Sequence, residues 1–100
     1  MAFGKPMHPG QILEEELEEL GVTPTELARQ IKVPANRISQ IVNGKRSITG
    51  DTALRLGRWF NMNPRFWLNL QQEYELMLAE ESVGSEIRSI QPRVDWPALR

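Results

Sequence analysis

Residues Thr23–Arg46 read TPTELARQIKVPANRISQIVNGKR, and this stretch decides the fold. Thr23, Pro24 and Glu26 stand in the order of an N-cap, a first-turn proline and the N3 acid of a capping box, so a helix opens here and runs through Leu27 and Ala28 to Ile31. A two-residue turn, Lys32-Val33, leads to a second short helix from Pro34 or Ala35 to Asn43. That helix has Ile38, Ile41 and Val42 as its apolar residues and Asn43-Gly44 as its stop. Leu27, Ala28 and Ile31 must meet Ile38 and Ile41, and the small side chain at Ala28 lets the two helices cross closely. Two short helices joined this tightly have the spacing of a helix-turn-helix, whose second helix aims its N-terminal face outward toward a groove about 12 Å wide.

Working outward, Pro9–Leu20 predicts a helix with Ile12, Leu13, Leu17 and Leu20 on one stripe and glutamates opposite, closed by Gly21. On the other side, a fourth helix runs from Thr49 or Gly50 to Phe60, with Leu54, Leu56, Trp59 and Phe60 as candidate core. Asn63-Pro64 then caps a fifth helix reaching about Glu81 and carrying Phe66, Trp67, Leu70, Tyr74 and Met77. Ser82, Gly84 and Ser85 predict a break, after which Glu86–Val94 reads as a short strand, a helical turn or a tail that orders on binding. The fold class is therefore all-α, with five short helices. Residues 7–81 are expected to form the helix-turn-helix domain, with the motif at 23–43, and residues 82–100 a tail that contacts a dimer mate or partner.

Charge sharpens this picture. The 100 residues sum to a net charge of −1, which by itself argues against a polyanion. The distribution is uneven. Residues 1–28 hold Lys5 against six glutamates, a net of −5; residues 29–66 hold eight cations against Asp51 alone, +7; residues 67–100 come to −3. The helix-turn-helix thus lies in a strongly basic segment between acidic flanks, the pattern of a phosphate-binding face with other partners elsewhere.

Composition also narrows the function. The absence of cysteine rules out disulfides, thiolate metal sites and cysteine nucleophiles, and a single histidine, His8, rules out a multi-histidine metal centre. His8 is expected to order the start of the first helix. No apolar run reaches the roughly 18–20 residues of a membrane span, and MAFGKPMHPG has no signal-like apolar stretch, so a cytoplasmic location is expected. No convergent polar cluster suggests an enzyme, a cofactor or a small-molecule substrate.

Thr23–Arg46 resembles, ungapped, the helix-turn-helix of the phage repressor and Cro group, including Glu26-Leu27-Ala28 and the terminal Asn43-Gly44-Lys45. The wider chain is similar to one branch, the HigA-type antitoxins, also called virulence-associated protein I. The similarity rests on MHPGQIL (Met7–Leu13), NGKRSITGDTALRL (Asn43–Leu56), FWLNLQQEYEL (Phe66–Leu76) and EIRSIQPR (Glu86–Arg93). One departure lies in the turn, where the wider group commonly has glycine for its positive φ and this chain has Lys32. A non-glycine residue in that conformation costs about 1 kcal/mol.

With Ile38 and Ile41 inward, helical spacing turns Ala35, Asn36, Ser39, Gln40 and Asn43 outward, with Arg37 beside them. The resemblance carries base contact onto Ala35, Asn36 and Gln40. Ser39 joins that face, and Arg37 reaches a base or a phosphate. Lys45 and Arg46 are expected on phosphates, as are Asn43, Thr23 and Thr25, the two threonines being equally suited to capping. Arg55 and Arg58, three residues apart, read as a solvated face that could extend the basic surface. Trp67, Tyr74, Ile87, Ile90 and Trp96 are the candidates for a dimer or partner interface, because aromatic residues anchor interfaces and the fifth helix carries more of them than a small core needs. The resemblance implies a homodimeric repressor of operator DNA that also neutralises a HigB-type toxin, a RelE-like ribonuclease. Alternatives are a stand-alone repressor of the same fold, a small hydrolase or metal-binding protein, and a protein–protein adaptor.

Overall fold

The structure, a computed structural model, describes residues 7–95. Its five helices are α1 (Pro9–Leu20), α2 (Pro24–Ile31), α3 (Ala35–Val42), α4 (Gly50–Phe60) and α5 (Arg65–Arg88); among the described residues there is no strand. None of these helices is long and apolar enough to cross a membrane.

The caps form where the sequence places them. The His8 side chain accepts a hydrogen bond from the Gly10 N–H at 2.9 Å, and the Thr23 hydroxyl accepts one from the Glu26 N–H at 3.1 Å. Gly21, at φ 69°, closes α1. Lys32 adopts φ 65° and ψ 47°, the left-handed conformation expected of the turn, and its N–H bonds back to Arg29. Pro34 precedes the first helical residue of α3, where its missing N–H leaves no bond unmade.

The core joins Leu13 and Leu17 of α1 to Leu27, Ala28 and Ile31 of α2, Ile38, Ile41 and Val42 of α3, Ala53 and Leu56 of α4 and Trp67 of α5, with Ile48 from the intervening loop. Ala28 is buried at the α2–α3 crossing, as its size requires. α1 meets α3 backbone to backbone: a Cβ added at Gly10 would sit 2.6 Å from the Ile41 carbonyl carbon and closer still to its oxygen. No other residue type fits there.

Four expectations need correction. Leu20 and Leu54 belong to the predicted apolar stripes but are exposed, at 56% and 65%, because each falls at the edge of its helix's buried arc. Trp67 is only 1% exposed, so it is core and not interface; among the described residues its indole N–H has no acceptor. The break expected at Ser82, Gly84 and Ser85 is present as a kink at Val83 (φ −130°, ψ 15°), but it does not end the helical run at Glu81: a second helical piece continues to Arg88. The exposed Glu80–Arg88 ion pair spans the kink and passes close to Gly84, where a Cβ would stand 2.8 Å from the Glu80 carboxyl carbon. The predicted strand option for Glu86–Val94 is thereby replaced by the last helical turn and a short extension. Trp96 lies outside the described residues.

Two substitutions test this frame. Lys32→Gly should leave the melting temperature unchanged or raise it by a few degrees, since removal of about 1 kcal/mol of left-handed strain is partly offset by a freer unfolded chain. Gly10→Ala should destabilise by about 3 kcal/mol, the upper end of overpacking costs, because the added methyl meets backbone that cannot rotate away. Both are read by thermal denaturation.

Candidate nucleic-acid interface

α3 is held from behind by Ile38, Ile41 and Val42, which leaves its remaining side chains free of core duties. Ala35 and Asn36 are exposed at its N-terminal end, and Ser39 and Gln40 follow one turn later, half-buried. Ser39 donates to the Asn36 carbonyl at 3.3 Å. Gln40 accepts from Arg46 Nη1 at 3.2 Å, so the first residues after α3 fold back against it. Asn43, Lys45 and Arg46 are exposed beside that bond. The expected base-facing and phosphate-facing groups are thus brought together along one side of α3. Thr23 and Thr25 are exposed at the start of α2, with the Thr23 hydroxyl already engaged as a cap.

Arg37 is placed differently from the simple outward picture. Its side chain is 24% exposed and lies across to Asp51, Nη1 to Oδ2 at 2.5 Å. Arg55 donates to the same carboxylate at 3.0 Å. Hydrogen bonds from Arg55 first and Arg37 second hold the Asp51 carboxyl below its ordinary range. Arg55 also donates to the Ile31 carbonyl at 2.8 Å and the Lys32 carbonyl at 3.3 Å. The arginine read as part of a solvated face therefore closes the C-terminal end of α2 and ties the turn to α4. The sequence held one signal for this, the Asp51–Arg55 spacing of four and Asp51's place as the lone acid in the basic segment; Arg37 had none. Arg58 stays exposed, and among the described residues it forms no ion pair, nor do Lys32, Lys45, Arg46 or Arg65.

Two further supports escaped sequence reasoning. Gln71 of α5 is buried and accepts from the Ile48 N–H at 2.9 Å while donating to Glu75 at 2.9 Å, which fastens the basic loop to α5. Tyr74, expected at an interface, is half-buried with its ring 4.9 Å from that of His8 in an edge-on contact. Ile87 and Ile90 are exposed, at 54% and 61%.

The comparisons bear on the family and the fold. A helix-turn-helix family model matches residues 13–67. Virulence-associated protein I of Dichelobacter nodosus is 46% identical over 80 residues, covering 79% of this chain and 74% of its own. The chain belongs to the HigA-type helix-turn-helix family. Within it, an addiction module antidote protein of the HigA family from Coxiella burnetii superposes with a TM-score of 0.86 at 45% identity, covering 89% of this chain and 99% of that one. The Pseudomonas aeruginosa antitoxin HigA, solved with the higBA promoter, gives 0.85 at 43% identity over 90% of this chain and 100% of its own. Family membership accounts for the five-helix, repressor-like architecture and for the continuity of α1–α5 around one motif.

His8 joins α1 to this surface and carries a pH dependence. Burial lowers its pKa below 6.5, and a hydrogen bond to the backbone at Arg46 opposes that shift only in part. The unfolded chain therefore takes up the proton more readily than the folded one, and stability is lost as pH falls through 6.5. Protonation also removes the lone pair that accepts from Gly10. The melting temperature should fall between pH 7.5 and 5.5, and His8→Asn, which retains a capping oxygen but no titrating ring, should flatten that fall.

Proposed function

We propose that this chain is a dimeric DNA-binding autorepressor and the antitoxin of a HigB-type, RelE-like mRNA-cleaving toxin, itself without catalytic activity and acting in the cytoplasm. The observation that carries the DNA half is the outer side of α3: Ala35, Asn36 and Gln40 unneeded by the core, with Lys45 and Arg46 exposed beside them. Asn and Gln pair in bidentate fashion with adenine edges, and the loop cations suit phosphates. The Pseudomonas aeruginosa relative solved with its promoter supports the same assignment by analogy.

In this reading Ala35, Asn36, Ser39 and Gln40 face bases. Arg37 reaches DNA only on release from Asp51, and Asn43, Lys45, Arg46, Thr23 and Thr25 dock the backbone. Residues 7–81 form the reading unit. The second part of α5 and the segment after it, with Leu76, Leu78, Val83, Ile87 and Ile90 exposed, supply the surface for a two-fold mate. A dimer sets its two recognition helices about 34 Å apart, one per half-site of a palindromic operator. The antitoxin half rests on kinship with the Coxiella burnetii and Pseudomonas aeruginosa proteins.

Fluorescence anisotropy on DNA from upstream of the chain's own gene tests the first half. Arg46→Ala should weaken binding to all sequences and lower the salt slope by about one unit. Gln40→Ala should cost about 1–3 kcal/mol at one base pair and relax specificity there. Parent-like binding by both variants would remove α3 as the reading helix. Co-expression with the product of the adjacent reading frame tests the second half, and free DNA binding with no toxin to neutralise would identify a stand-alone repressor.

A further inference from the structure

The acidic face of α1 carries none of the groups assigned above to DNA. Glu14, Glu15, Glu16, Glu18 and Glu19 are exposed on α1 with no cation on that helix, and among the described residues none of them forms an ion pair. Beside them lies a hollow of about 280 Å³ lined by Ile12, Glu16, Phe60, Met62, Phe66 and Trp67. Its aromatic side is continuous: the Phe60 and Trp67 rings are 5.5 Å apart, and Phe66 meets Trp67 nearly at right angles at 5.1 Å. Phe66 is 41% exposed, although it contacts the buried Trp67, so a large ring is left on the rim.

The lining narrows what can enter. A purely apolar anchor would bury the Glu16 carboxylate against hydrocarbon, and an acidic one would be repelled by it. A side chain with an aliphatic stem and a cationic head satisfies both halves: the stem covers Ile12 and Met62, the head lies against the exposed Phe66 ring, and Glu16 neutralises it. The four neighbouring glutamates favour a basic surface around that side chain.

We propose that this hollow and the acidic face of α1 dock a basic protein partner, seated by an arginine or lysine that enters between Glu16 and the exposed Phe66 ring, over the buried Trp67. None of the lining residues belongs to α2, α3 or the basic loop at 43–48, so the occupant does not compete for the groups assigned to DNA. That the partner is a HigB-type toxin rests on the antitoxin reading above; the chemistry of the hollow does not.

The test uses the full chain and its Glu16→Lys and Glu16→Gln variants with two probes. One probe is a catalytically inactive HigB-type toxin from the adjacent reading frame, titrated calorimetrically. The other is the peptide acetyl-Leu-Arg-Leu-Arg-Leu-amide, followed through the NMR signals of the Phe66 and Trp67 rings. Glu16→Lys should weaken the toxin at least tenfold and Glu16→Gln less, with operator affinity and circular dichroism unchanged. The peptide should shift both rings in the parent and not in Glu16→Lys. Toxin binding equal in parent and variants would overturn the docking site and leave the antitoxin reading standing. Peptide shifts that depend on Glu16, with no toxin binding to the parent, would support the hollow and remove the antitoxin reading. Silence from both probes would overturn the proposal. So would a change in sedimentation mass caused by Glu16→Lys, which would identify the occupant as a second copy of this chain.

Discussion

Everything on the DNA-facing side depends on the left-handed turn at Lys32. The conformation directs α3 away from α2 at the angle its apolar residues need, and a lysine does not adopt it for free. What holds it is a pair of flanking contacts. Ala28 and Ile31 pack against Ile38 and Ile41 on one side of the turn. On the other, the Arg55 guanidinium gathers the carbonyls of Ile31 and Lys32 while its own charge is balanced by Asp51. Asp51 also takes Arg37, so a single carboxylate in a basic segment steadies the turn, the helix after it and α4.

The fold was largely legible in the sequence because local chemistry and tertiary demand coincide. The Thr23 cap, the proline at 24, the Gly21 stop and the small Ala28 each specify locally what the packing also requires. The readings that failed are those in which the two diverge. Leu54 carries an apolar side chain on a helix whose buried arc is narrower than its apolar stripe. Ser82, Gly84 and Ser85 have the propensity of a break, which falls at Val83, yet helix resumes beyond it to Arg88. Trp67 suits an interface by residue type and is covered by the chain's own elements.

The site was legible to a lesser depth. Periodicity identifies which side chains of α3 turn outward, since that follows from which turn inward. It does not reveal long-range partners. The Arg37–Asp51 bond spans 14 residues, the Gln71–Ile48 bond 23 and the Arg55–Ile31 bond 24, and no spacing rule connects residues so far apart. The basic loop is consequently steadier than its composition suggests, with Gln71 behind it and Gln40 beside it.

The eight residues of α3 fall into two sets with little overlap. Ile38, Ile41 and Val42 hold the helix in place, while Ala35, Asn36 and Gln40 lie on its outer side. A change in the first set alters how well the protein folds; under the function proposed above, a change in the second alters what it reads. On that reading, with the two sets largely separate, target preference can change while the scaffold stays constant, and a new operator can be acquired without passing through an unstable intermediate.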